Sequence, residues 1–94
     1  MPVYVEREGI ESCISKIQNA IEEMTETAKT INTSMSELEE YWKGAAFERA
    51  KGTYESDYQG LIMETIPTEL TNFNDFINKC KEEIINIDEQ LSSL

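Results

Sequence analysis

The sequence predicts an all-α protein: an antiparallel two-helix hairpin that dimerises into a four-helix bundle. Three observations lead there. Apolar residues recur at alternating spacings of 3 and 4 through most of the 94 residues, the period of a helix face rather than of a strand. Neither Pro nor Gly occurs between Ile10 and Trp42, so nothing interrupts a first helix. A Gly-containing turn at mid-chain is short enough to force antiparallel neighbours.

The first helix is the more regular. Ile10, Ile14, Ile17, Ile21, Met24, Ala28, Ile31, Met35, Leu38 and Trp42 step by 4 and 3 in strict alternation, a heptad seam. Polar residues fill the intervals. The pattern predicts a helix over about 8–41, roughly 50 Å long at about 1.5 Å per residue. Gly9 and the carboxylates Glu6, Glu8 and Glu11 suit its positive N-terminal end. The turn is predicted at 42–45, with Gly44 taking a left-handed C-cap conformation.

The second helix is predicted over about 46–92. From Ile66 the seam is clear: Ile66, Leu70, Phe73, Ile77, Cys80, Ile84, Ile87, Leu91 and Leu94 again alternate by 4 and 3. Before it, Phe47, Ala50, Tyr54, Tyr58, Ile62 and Ile66 step by 3 and then by repeated fours. Such a stutter unwinds a left-handed coil locally and is expected to turn Asp57 outward and Tyr58 inward. Pro67 removes one helical hydrogen bond and crowds the carbonyl four residues back, which predicts a kink near 60–67. A full break giving three helices is the rival reading. The apolar phase carried through Ile62, Ile66 and Leu70 favours the single kinked helix.

Two helices cover each seam on one side only, leaving more apolar surface than monomers expose. Each such side chain is worth about 1.5–3 kcal/mol when buried. A second hairpin would cover them; a monomeric hairpin inside a larger assembly is the alternative.

Composition bounds the function. Acidic residues number 19 and basic residues 8, for a net charge of −11. That argues against nucleic acid and anionic membranes, which need Lys/Arg patches. There is no His, which removes the usual triads, imidazole metal sites and histidine acid–base chemistry. Glu22, Glu23, Glu26, Glu37, Glu39 and Glu40 fall between seam positions and read as a solvated face rather than a metal site. With no Gly-rich phosphate loop and no nucleophile–base pair, no enzymatic activity and no cofactor are expected. No stretch approaches the roughly 20 apolar residues of a membrane span, and the N-terminus lacks the parts of a Sec signal peptide. Cys13 and Cys80 would be offset along a hairpin by about 10 Å, too far for an intrachain disulfide, and read as small buried hydrophobes.

Trp42 and Gly44 stand out. Trp42 ends the first seam, Gly44 permits the reversal, small Ala45 and Ala46 let the helices approach, and Trp42 with Phe47 can close the open end of the core. The segment Glu40-Tyr41-Trp42-Lys43-Gly44-Ala45-Ala46-Phe47, set in the turn of an acidic two-helix chain, resembles the WXG family of small type VII secreted proteins, also called early-secreted-antigen-like proteins. The resemblance implies a helical hairpin that pairs with itself or with a related WXG-like partner. It implies export from Gram-positive or mycobacterial cells by a type VII secretion ATPase, without a Sec signal, and a non-enzymatic role in virulence or as targeting partner of a larger toxin. It assigns Trp42 and Gly44 to one half of an export signal. The other half, a Tyr-x-x-x-Asp/Glu motif after the second helix, has no match near the C-terminus; the nearest spacing there is Ile84 to Asp88. A partner could supply it, or a homodimer could use another determinant. A cytosolic adaptor or chaperone-like partner of a secreted toxin is the alternative function.

Overall fold

The computed structural model describes residues 5–92, and side chains through residue 90. The expectations for the Leu91 and Leu94 side chains lie outside those described. Helix α1 runs Arg7–Tyr41, 35 residues. Glu6 sits at its N-cap without a side-chain capping bond, and Glu8 lies in the first turn, where negative charge offsets the helix dipole. The helix ends where Trp42 becomes extended, with φ −142°. Its N–H still donates to the Leu38 carbonyl at 2.9 Å.

Gly44 does not form the left-handed C-cap expected of it. It stands at the N-cap of α2, with φ 124° and ψ 178°, a backbone region essentially confined to Gly. The chain therefore reverses through an extended Trp42 followed by a glycine-only bend, and helix resumes at Ala45.

The second arm is continuous. Helix α2 (Ala45–Thr53) passes through two π-helical segments, Tyr54–Tyr58 and Leu61–Thr65, into α3 (Ile66–Ser92). Thr53, Gln59, Gly60 and Ile66 all hold right-handed helical angles, so the helix does not break. The Gln59 N–H donates to the Tyr54 carbonyl and the Ile66 N–H to that of Leu61, each five residues back. These wide turns absorb the stutter. The second lies directly before Pro67, whose ring would crowd the carbonyl four residues back in a regular α-helix.

The two arms pack antiparallel into a rod with extents of 73 × 19 × 18 Å, and no strand occurs among the described residues. The pairs Glu39–Lys51 and Ile14–Asn74 centre on residues 45 and 44, within the turn predicted at 42–45.

How α1 is rotated decides which side chains are covered. Let row a be Ile14, Ile21, Ala28, Met35 and Trp42, and row d be Ile10, Ile17, Met24, Ile31 and Leu38. Row a faces the second arm, with Ile21 and Ala28 buried. The next row round the helix toward that arm is polar: Gln18, Thr25, Asn32 and Glu39, all half-buried. Row d is left at the open edge, with Ile10 and Ile17 half-buried and Met24, Ile31 and Leu38 exposed.

The seam of α3 divides likewise. Ile66, Leu70 and Ile77 are half-buried, and Asn74, Lys81 and Ile85 complete the face toward α1. Phe73, Ile84 and Ile87, expected in the seam, lie at the surface of the hairpin together with Phe76. The polar contacts account for this rotation. Asn74 Nδ2 donates to the Ile14 carbonyl at 3.2 Å and Lys81 Nζ to Glu11 at 3.1 Å, so α3 turns these groups inward and the aromatic row outward. Cys13 and Cys80 are both free and exposed, not buried as the sequence suggested, because they ride on the outward rows. Tyr58 is also outside, at 54% exposure. The π turn aligns residues five apart, so Tyr54 and Gln59, not Tyr58, meet α1.

Candidate functional site

The hairpin tip is built around Phe47, 1% exposed and the largest fully buried side chain. Trp42 packs on it, ring centroids 5.5 Å apart and planes tilted by 56°, a favourable aromatic geometry. Trp42 nevertheless keeps 43% of its surface in solvent, and neighbouring Tyr41 keeps 83%. Trp42 thus closes the core with one face and presents the other. Ala45 is exposed beside the bend.

From this tip an apolar groove of about 650 Å³ runs along the hairpin, walled by Met35, Leu38, Trp42, Ala50 and Tyr58 over a floor that includes Phe47. A second groove of about 240 Å³ continues it between Met24, Thr27 and Ile31 of α1 and Ile62 and Ile66 of the second arm. Both include row d. By helical phase Phe73, Ile84 and Ile87 fall on the same side of α3 as Ile66. One long flank of the rod is therefore apolar and open.

The opposite flank is polar. Asn32 Oδ1 accepts from Gln59 Nε2 at 2.5 Å and from the Tyr54 hydroxyl at 3.4 Å. Lys51 Nζ donates to Glu39 at 2.9 Å. That hydrogen bond, and then the charge behind it, holds the Glu39 carboxyl below the usual carboxylate range and raises the Lys51 ammonium. Farther along, Lys81 donates to Glu82 and Glu11, which raises its pKa, while the same bond lowers that of Glu82. Asn74 is only 4% exposed. Its Nδ2 is satisfied by Ile14, but its Oδ1 has no hydrogen-bond partner.

The structure gathers Trp42, Phe47, Met35 and Leu38 at the tip groove and Met24, Ile31 and Ile66 at the central one. It puts Ile21 in the hairpin core, with Ile14, Ile77 and Leu70 half-covered beside it. Gly44 shapes the turn behind Trp42. The polar members Asn32, Asn74 and Lys81 were not foreseen. Asn74 and Lys81 are seven apart and each follows a seam position, a spacing that could have exposed them. Among the described residues no group of three or more His, Cys, Asp or Glu is placed to hold a metal ion. None of the described helices is long and apolar enough to cross a membrane. Comparison of the chain with protein-family models, with curated proteins and with solved structures finds no match.

Proposed function

We propose that this protein is a non-enzymatic module that works through protein–protein contact, as a dimer whose two hairpins close into a four-helix bundle. The observation that carries this reading is the open apolar flank, continuous from Trp42 to Ile87, on a chain whose other flank is polar. Exposed apolar groups in one contiguous patch mark an interaction surface.

We further propose export through a type VII system, with Trp42 and Gly44 as the recognition element read by the secretion ATPase. The half-exposed indole at the tip of the rod supports this. Gly44 supports it by setting the bend that presents the indole. Deleting the ATPase in the producing cell is expected to remove the protein from the medium; its persistence there overturns the export reading. Trp42→Ala is expected to block export while dimer mass and helicity stay near wild type, because Phe47 and not Trp42 fills the tip. Loss of the dimer instead would assign Trp42 to structure alone. The second reading, a cytosolic adaptor of a larger secreted toxin, is the outcome if the chain stays in the cell.

A further inference from the structure

Helix α1 carries a second row beside row d on the open flank. Cys13, Ala20, Thr27, Ser34 and Tyr41 recur every seventh residue, and all five are exposed. With row d they form a stripe about 47 Å long at about 1.5 Å per residue. Nine charged residues lie between Ile10 and Tyr41, and none falls on this stripe. On a chain of net charge −11 it is a long strip of surface where a second copy can approach without meeting carboxylates.

The two rows differ in size. Row d holds Ile10, Ile17, Met24, Ile31 and Leu38, whereas the new row is small except at its end. We infer that this stripe takes α1 of a second copy, antiparallel, about a two-fold axis passing between Met24 and Thr27. The inference rests on the self-association proposed above and names the contact that makes it.

The register follows from size and charge. Antiparallel apposition sets Ile17 opposite Ser34 of the other copy, Ala20 opposite Ile31, Met24 opposite Thr27 and Cys13 opposite Leu38. Every layer but the outermost then holds one large and one small side chain, so the layers are even in thickness and the axes can come to the near end of the usual range, about 8 Å. Parallel apposition would alternate large-on-large with small-on-small layers, which one interaxial distance cannot fit at native packing density. The rim row agrees. Lys16, Glu23, Thr30 and Glu37 flank the stripe, and all are exposed. The antiparallel register brings Lys16 to Glu37 of the other copy, twice by symmetry, and Glu23 to Thr30. No like charges meet. A surface complementary to itself in both size and charge specifies a second copy rather than a related partner.

Disulfide trapping tests this. Cys80→Ser leaves Cys13 as the single thiol; adding Leu38→Cys creates the expected cross-copy pair. Within one α1 these positions are about 37 Å apart at about 1.5 Å per residue, so no intrachain bond can form. On mild oxidation the two-thiol chain is expected to run as a covalent dimer on a non-reducing gel, with peptide mapping giving a link from Cys13 of one copy to position 38 of the other. The Cys13-only chain is expected to stay single. A Cys13–Cys13 link in that chain means a parallel contact and overturns the inference. A light-scattering dimer that forms neither link places the second copy on another face, overturning the inference while the dimer stands. A mass of 10.8 kDa for the unaltered chain overturns the dimer reading itself. Independently, Glu37→Lys is expected to weaken self-association about three- to tenfold, since two rim pairs become repulsive, and Lys16→Glu in the same chain should restore it. Failure of that rescue also overturns the register.

Discussion

At the residue scale the turn rests on one backbone conformation. A Cβ added at Gly44 would meet nothing within 4 Å, yet φ is 124°. Crowding is therefore absent and the cost of substitution is torsional. Gly44→Ala is expected to lower unfolding stability by about 1–3 kcal/mol, measured by urea denaturation, without filling or opening any cavity. A cost near zero would mean that the turn relaxes to another shape. The Glu39–Lys51 pair gives a pH test. The Glu39 carboxyl is lowered, so its stabilisation is present above the ordinary carboxylate value and lost as pH falls through its folded value. Lys51 is raised, so its share is present below the ordinary ammonium value and lost as pH rises through its folded value. The pair contributes fully only between about pH 4.3 and about pH 10.4. Glu39→Gln is expected to reduce the fall in Tm on acidification from neutral to about pH 3; an unchanged fall would mean that solvent already screens the pair.

At the element scale the second arm shows how an irregular pattern becomes structure. Repeated steps of four between Ala50 and Ile66 looked like a stutter, and the chain answers with two π-helical segments and no break. The first brings Tyr54 and Gln59 onto one acceptor, Asn32 Oδ1. In an α-helix residues five apart diverge around the axis, so this double bond to Asn32 depends on the wide turn. Asn32→Ala removes the acceptor and leaves two part-buried donors to water. It is expected to cost about 1–2 kcal/mol in thermal or urea unfolding, near 0.5–1.5 per bond, and to speed amide exchange at residues 54–65. Equal exchange in the variant would show that the π segments stand without Asn32.

At the scale of the whole molecule the rod is thin. Buried hydrophobic side chains among those described are Ile21, Ala28, Phe47 and Ile85, a small core for a two-armed structure. Net charge and apolar flank act in opposite directions on association. Two copies of charge −11 repel at long range, while the stripe proposed as their contact carries no charge and would attract at short range. Screening shortens the repulsion, from about 30 Å at 0.01 M salt to about 8 Å at 0.15 M, and leaves the apolar term. Self-association is therefore expected to tighten several-fold over that range, by sedimentation or dilution calorimetry. Weakening with salt would mean that attractive ion pairs, not apolar contact, dominate the interface.

The sequence by itself determined the all-α hairpin. Alternating steps of 3 and 4 allow only a helical face, and a short turn at Trp42–Gly44 allows only antiparallel neighbours. It also determined the aromatic closure of the tip, because Trp42 and Phe47 flank a bend too tight to separate them. What it left open is how each helix is rotated about its own axis. A seam of rows a and d is nearly symmetric, and its periodicity does not say which edge meets the other arm. That choice fell to polar residues outside the seam. Glu11, Asn32 and Glu39 on α1 find Lys81, Gln59 and Lys51 across the hairpin, and Asn74 finds the Ile14 carbonyl. Burying a polar group is costly unless it is bonded, so the rotation that makes these pairings is the one adopted. Only the tertiary structure could therefore decide that row d, Phe73, Ile84 and Ile87 would be left on an open flank.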